Sequence, residues 1–179
     1  FEGPRGPLVF GARSEVSGSS RNMSSAPERT EVLAARVDKL VTLRRTARAE
    51  RKLAIVLFNF PPNAGATGTA AFLSVFASLF NTLKALKAEG YTVTLPASVD
   101  ELRDKILGGN AERFGTNANV HTRIDTNTYV RRARWLKEIE AQWGPAPGRQ
   151  QSDGQSILVL GAEFGNVLVG VQPAFGYEG

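Results

Sequence analysis

The chain has 179 residues, 42% hydrophobic and 22% charged, with 22 Lys and Arg against 17 Asp and Glu for a formal net charge of +5. That balance suits one globular domain, or parts of two, built round a real core. Cysteine is absent, which excludes disulfides, thiolate metal sites and cysteine catalysis within these residues.

Residues 1–26 are rich in Gly, Ser and Pro. They are expected to form an extended segment and a mobile loop, with 14–26 lacking regular structure. Residues 27–179 are expected to form an α/β region of a larger, multidomain subunit. Pro27 and Glu28 open a helix that runs to about Ala49. Val32, Leu33, Val37, Leu40 and Val41 make its apolar stripe, and arginines gather near its C-terminus, where the helix dipole favours them. Leu53 to Leu83 then carries no charge at all, where average usage would place about 7 charged residues. Pro61, Pro62 and Gly65 interrupt this stretch, so it is no membrane span, which needs about 20 unbroken apolar residues. It divides into a strand, Leu53–Phe58, a small-residue loop, Asn59–Gly68, and a helix from about Thr69 to Glu89. The strand alternates too little for a sheet edge and is expected to be buried on both faces. Phe72, Phe76, Leu79 and Leu83 form the deeply buried helix face, and Gly90 closes the helix.

Tyr91–Leu95 reads as a second strand. Ser98 and Glu101 make a capping box, with Ala97 and Leu102 as a staple, for a helix ending at Gly108 and Gly109. Residues 110–126 read as polar and irregular. Thr128 to Trp143 reads as one helix burying Tyr129, Ala133, Leu136, Ile139 and Trp143. Ser156–Gly161 and Asn166–Val171 are strands so close in sequence that they form a hairpin or one bent strand, because a parallel crossover needs about a dozen residues. Strands alternating with helices indicate an α/β layered fold, Rossmann-like or flavodoxin-like, with a mainly parallel sheet and truncated here. Leu53–Phe58, Tyr91–Leu95 and Ile157–Leu160 are its expected neighbouring strands.

Two basic clusters stand out, Arg44, Arg45, Arg48, Arg51 and Lys52, then Arg131, Arg132 and Arg134. No aromatic residue interleaves with the first, so both read as solvated faces or partner contacts rather than a nucleic-acid site. The loop Asn59–Thr69 either cradles an anion, through Asn59, Asn63, Gly65, Thr67 and Thr69, or is a tight turn capped by Thr67 or Thr69. No Lys-Ser/Thr follows Gly68, so it is not a phosphate-binding loop of the Walker type. His121, the sole histidine, reads as an exposed loop residue, and neither a metal site nor a Ser-His-Asp triad can be assembled around it. Asp153 before Gly154 reads as a turn residue. From Glu163 to Gly179, Gly161, Gly165, Gly170, Gly176 and Gly179 permit close backbone approach. Phe164, Phe175 and Tyr177 offer flat apolar surface there, and Glu163, Gln172 and Glu178 offer polar groups. Loops at strand ends are where α/β folds bind ligands, although the same composition also describes a glycine-rich turn with core aromatics.

The segments PERTEVLAARVDKLVTLRR, ERKLAIVLFNFPPNAGATGTAAFLSVFASLFNTLKALKAEGYTV and WGPAPGRQQSDGQSILVLGAEFGNVLVGVQPAFGYEG resemble the family of magnesium chelatase H subunits and cobaltochelatase large subunits. Leu73-Ser-Val-Phe76 stands where the cobalt branch carries an Asp and a Pro, so the resemblance points to the magnesium branch, of bacteriochlorophyll type. It implies a cytoplasmic porphyrin-binding subunit that acts on protoporphyrin IX, with Mg2+ as the substrate metal. Partners of the AAA+ class, the chelatase I and D subunits, hydrolyse ATP. The family's His- and Glu-rich motifs lie beyond Gly179, so this stretch alone is expected to be inactive and to hold no cofactor. Alternatives are a cobaltochelatase large subunit, a non-catalytic scaffold or partner-docking segment, and a nucleotide or flavin binder. Within the chelatase reading, Gln172, Phe175, Gly176 and Tyr177 are expected to bind the macrocycle, after Pro173 takes the chain out of the sheet. Glu178 is the expected catalytic residue, accepting a pyrrole proton or meeting Mg2+ through oxygen; the bland alternative is that it pairs with an arginine and orders the loop.

Overall fold

The computed structural model describes residues 11–13, 23–59 and 74–172, and the chain divides into two compact units, Phe1–Ala47 and Arg48–Gly179. In the first, β1 (Gly11–Arg13) pairs antiparallel with β2 (Met23–Ser25), Gly11 opposite Ser25. Regular pairing therefore reaches into the stretch expected to lack it; residues 14–22 lie outside the described residues. Helix α1 (Pro27–Arg45) has Pro27 at its first turn, where a missing N–H costs nothing, and Arg44 and Arg45 in its last. It stops short of Ala49, and none of its residues is buried, Val32, Val37, Leu40 and Val41 included.

The second unit runs β3 (Leu53–Leu57), α2 (Val75–Ala88), α3 (Val99–Leu107), α4 (Ala111–Phe114), β4 (Val120–Asp125), α5 (Thr126–Arg132), α6 (Leu136–Trp143), β5 (Ser156–Phe164) and β6 (Val167–Val171). Its sheet has the order β3-β6-β5-β4. The α/β class is as expected, but only β3 and β6 are parallel; β6 with β5 and β5 with β4 are antiparallel. Two expected neighbours are displaced. Tyr91–Leu95 forms no strand, and β5 lies beside β6 and β4 rather than β3. The cause is the hairpin: the short turn makes β6 the antiparallel neighbour of β5, and β6 then takes the parallel seat beside β3.

That turn is Gly165-Asn166, because Phe164 pairs with Val167. Gly165 has φ +70°, and a Cβ there would lie 2.6 Å from the Thr92 carbonyl oxygen. Asn166 then binds three ways. Its carbonyl accepts from Leu53 N–H (2.9 Å), its N–H donates to the Thr92 carbonyl (2.8 Å), and its side-chain amide donates to the Ala49 carbonyl (2.8 Å). Thr92 Oγ1 donates to the same Ala49 oxygen at 2.7 Å. The segment expected as a strand thus serves as a clamp over the hairpin. β3 itself is an edge strand with Ala54 and Val56 exposed and Leu57 buried, not a strand buried on both faces. A short apolar run does not distinguish these two situations.

One sheet face forms the core. Leu158, Leu160, Phe164, Val167 and Val169 pack with Leu79 and Leu83 of α2 and Leu102 and Ile106 of α3. Leu79 and Leu83 are buried as expected, whereas Phe76 is only half-buried, with the Arg103 guanidinium 5.9 Å from its ring centre; Phe72 lies outside the described residues. Helix α2 takes Ser74 as its N-cap, later than Thr69. It ends as the sequence predicts: Gly90 has φ +86°, Tyr91 N–H reaches the Leu86 carbonyl at 3.0 Å and Gly90 N–H the Lys87 carbonyl at 3.1 Å. The capping box of α3 is present as well. Ser98 Oγ accepts from Glu101 N–H at 3.0 Å, and Glu101 Oε2 accepts from Ala97 N–H. Lys105 beside Glu101, then the Ala97 amide, holds that carboxyl below its usual range. Leu102 is buried and Ala97 is exposed.

Residues 110–126 are structured rather than irregular. Asn110 accepts from Val120 N–H at 2.7 Å and donates to its carbonyl at 3.0 Å, while Asn119 accepts from Asn110 N–H and donates to the Gly161 carbonyl at 2.7 Å. These amides dock β4 onto β5. The single helix expected over 128–143 is two, broken at the extended Ala133 and started by Asp125, whose carboxylate accepts from Thr128 N–H. Neither α5 nor α6 has a buried residue.

Leu83 is 0% exposed, so Leu83→Ala is expected to cost about 2–5 kcal/mol in urea melts, and the half-buried Phe76→Ala less. Gly165→Ala is expected to destabilise more than Gly144→Ala. Both have positive φ, which costs about 1–2 kcal/mol for a residue with a Cβ, but a Cβ at Gly144 meets only open space.

Candidate ligand edge at the carboxyl ends of two parallel strands

β3 and β6 start together at Asn166 and run in register from Leu53 opposite Val167 to Leu57 opposite Val171. Being equally long, they also end together. Gln172 N–H donates to the Leu57 carbonyl at 2.9 Å, which extends the pairing by one residue. The chain leaves β3 through Phe58 and Asn59 and leaves β6 through Gln172. Asn59 and Gln172, distant in sequence, therefore stand at one edge of the sheet. In open α/β sheets this carboxyl edge is where ligands bind. Gln172 is half-buried there, and Asn59 is 1% exposed. A buried amide left unpaired costs about 1–3 kcal/mol, and among the described residues no buried side-chain nitrogen or oxygen lacks a partner. The hydrogen-bonded Asn59 side chain thus anchors the exit from β3. Asn63, Gly65, Thr67, Thr69, Phe175, Gly176, Tyr177 and Glu178 lie outside the described residues.

Other candidates sit elsewhere. Glu163 pairs with Leu168 near the hairpin turn, about 13 Å along β6 from Gln172 at strand rise. Phe164 is in the core, and Gly161 (φ +138°) leaves room for the Val169 carbonyl, so these residues serve packing. His121 lies half-buried on β4, not exposed in a loop. Asp153 is a turn residue: its Oδ1 accepts from Gln155 N–H and Ser156 N–H. Those bonds, aided by Arg123 at 3.3 Å, hold its carboxyl below the usual range. In the first basic cluster, Arg48 pairs with Glu89 at 2.7 Å and Arg51 donates to the Tyr91 hydroxyl at 3.3 Å. Among the described residues, no three or more His, Cys, Asp or Glu side chains are grouped to hold a metal, and no helix is long and apolar enough to cross a membrane. Asn110 and Asn119 fall in the stretch that reads as polar and irregular, and Asn166 reads as the start of a strand; Asn110 and Asn166 each follow a glycine, whereas Asn119 carries no such signal.

The second unit is an α/β layer in which two adjacent parallel strands end at one edge. The family model described as CobN/Magnesium Chelatase matches residues 1–179, and the chain belongs to that family. It is 47% identical to the magnesium-chelatase H subunit of Cereibacter sphaeroides over 194 residues, covering 100% of this chain and 16% of that protein. Identity is 38% to the chloroplastic magnesium-chelatase ChlH subunit of Oryza sativa subsp. japonica, covering 100% of this chain and 13% of the relative. The aerobic cobaltochelatase CobN subunit of Sinorhizobium sp is 34% identical over 76% of this chain and 11% of its own length. Among solved structures, the catalytic subunit of cobaltochelatase from Mycobacterium tuberculosis superposes with a TM-score of 0.69 at 25% identity, covering 93% of this chain and 14% of that one. The chain thus corresponds to a small part of each relative.

Asn59→Ala is expected to destabilise by about 1–3 kcal/mol and to speed amide exchange at Gln172, read by hydrogen–deuterium exchange. Unchanged exchange there would separate Asn59 from the edge.

Proposed function

We propose that the intact protein is the porphyrin-binding subunit of a magnesium chelatase. In the cytoplasm it inserts Mg2+ into protoporphyrin IX for bacteriochlorophyll synthesis, while AAA+ partners, the I and D subunits, hydrolyse ATP. The observation that carries this reading is 47% identity along the whole chain to a magnesium-chelatase subunit, against 34% to the cobalt relative. The shared carboxyl edge of β3 and β6 supports a ligand site in this part of the subunit.

The chemistry sets clear demands. Mg2+ gives up its water reluctantly and favours hard oxygen ligands. The free-base macrocycle must lose two pyrrole protons, and each needs an acceptor. The reaction is therefore Mg2+ plus porphyrin giving magnesium porphyrin and two protons, with no oxidation or reduction. A carboxylate beside a flat apolar wall meets both demands, by taking a proton and by replacing a water on the metal. Glu178 takes that role, with Gln172, Phe175, Gly176 and Tyr177 holding the macrocycle. Asn63, Gly65, Thr67 and Thr69, which follow Asn59 in sequence, offer small polar groups to the carboxylates on the porphyrin rim.

In the intact subunit with its ATPase partners, Glu178→Gln is expected to keep porphyrin affinity, measured by Soret titration, and to lower the chelation rate by about 10²–10⁴-fold. Near-normal chelation would remove Glu178 from the mechanism.

A further inference from the structure

Gly170 stands inside β6, a central strand flanked by β3 and β5, in the otherwise aliphatic run Val-Leu-Val-Gly-Val. Glycine weakens a strand interior. Where it occurs, it marks a bulge, a tight bend or a place where a ligand or another backbone comes close. No bulge is present: pairing is continuous from Ile55–Val169 to Leu57–Val171 on one side and from Gly161–Gly170 to Phe164–Val167 on the other. Nor does the chain's own packing demand glycine. Every other described glycine either has positive φ or, as at Gly11 and Gly108, would set a Cβ 2.7 Å from a backbone oxygen. At Gly170 a Cβ would come no nearer than 3.8 Å to the Leu160 carbonyl oxygen and 4.0 Å to Val56 Cγ2, which is ordinary contact. The described fold would accept a side chain here and has none.

Strand alternation fixes the direction of that gap. Val169 and Val171 belong to the core, so Gly170 faces the opposite side of the sheet, with Leu168 and Gln172. Val56 of β3 is level with it on that face and 65% exposed. Gly161 of β5 is level with it on the other side, so two adjacent positions carry no side chain. Around them lie Ala54, Val56 and Leu168, all uncharged, with the half-buried Gln172 amide at the carboxyl edge. An apolar floor with one polar group at its mouth is the composition of a small-molecule site, and it opens on the edge where α/β sheets bind ligands. A helix or strand packed over this face would interdigitate side chains with it and be held better by a filled position. A flat ring system is held better by an empty one.

We propose that Gly170 is the clearance position for the porphyrin: the macrocycle lies on the sheet face opposite the core, over Gly170 and beside Val56 and Leu168, with Gln172 at its rim. This rests on the chelatase reading above and adds the face on which the macrocycle lies and the residue that makes room for it. Gly170 does no chemistry. A side chain there would lift the ring from its seat.

The test compares the intact wild-type subunit with Gly170→Ala, Gly170→Val and Val56→Asp by thermal melting and Soret titration with protoporphyrin IX. Both Gly170 variants should melt no lower than wild type, because a Cβ in open space reduces the entropy lost on folding. They should bind the porphyrin more weakly, valine by about tenfold or more and alanine by less. Val56→Asp, at an exposed position, should leave melting unchanged and weaken binding by setting a charge beside an apolar ring. In chelation assays with the ATPase partners, the Gly170 variants should raise KM for porphyrin and keep kcat, unlike Glu178→Gln. Wild-type affinity in folded Gly170→Val would overturn the proposal; if valine prevents folding, wild-type affinity in Gly170→Ala and Val56→Asp would do so. A lower melting point for Gly170→Ala with unchanged affinity would also overturn it, and would mean that the glycine makes room for another segment of the polypeptide. A wild-type subunit that binds no porphyrin would instead remove the chelatase reading, and this proposal with it.

Discussion

Asn166 and the glycine before it hold the amino end of the sheet. The side-chain amide of Asn166 reaches the Ala49 carbonyl, and its backbone joins Leu53 and Thr92. Each such bond contributes only about 0.5–1.5 kcal/mol net. Their larger effect is on register. A hairpin turn sets the pairing of β5 with β6, but no turn sets the pairing of β6 with β3, whose sequences are far apart. A slip of one residue there would turn the apolar side chains of β3 to the opposite face. By tying Leu53 to the residue that begins β6, Asn166 sets the start of both strands, and their equal length sets their common end.

The carboxyl edge follows from that. Leu57 and Val171 finish opposite each other, Gln172 adds one more bond, and Asn59 is buried as the chain departs. Two segments that the sequence could only present separately become neighbours at their origins. The glycines divide accordingly. Gly161 and Gly165 permit close approach between backbone segments at the hairpin, away from the edge, and Phe164 belongs to the same packing.

Apolar side chains on the outer surfaces have a different meaning from those in the core. Val56 on edge strand β3, Val32, Val37, Leu40 and Val41 of α1 and the Trp135–Ile139–Trp143 face of α6 are all exposed. The chain corresponds to only 16% of the length of its Cereibacter sphaeroides relative. Periodicity reports that a face is apolar. It does not report whether the cover comes from the same segment, from a distant one or from another subunit.

Local features were legible in the residues alone: the Schellman-type end of α2 at Gly90, the Ser98–Glu101 capping box, the short β5–β6 connection that rules out a crossover, the Asp153 turn and the α/β class. Each depends on residues a few positions apart, where steric preference and short-range hydrogen bonding decide. The motifs also pointed to the family. It took the folded chain to show that β6 rather than Tyr91–Leu95 pairs with β3, that VHTRID is a strand and that the 128–143 helix breaks and keeps its aromatic stripe outside. Those outcomes depend on long-range partners. The amides of Asn110 and Asn119 look like ordinary loop residues, and that of Asn166 like an ordinary strand start, until the fold brings their backbone partners within hydrogen-bond reach.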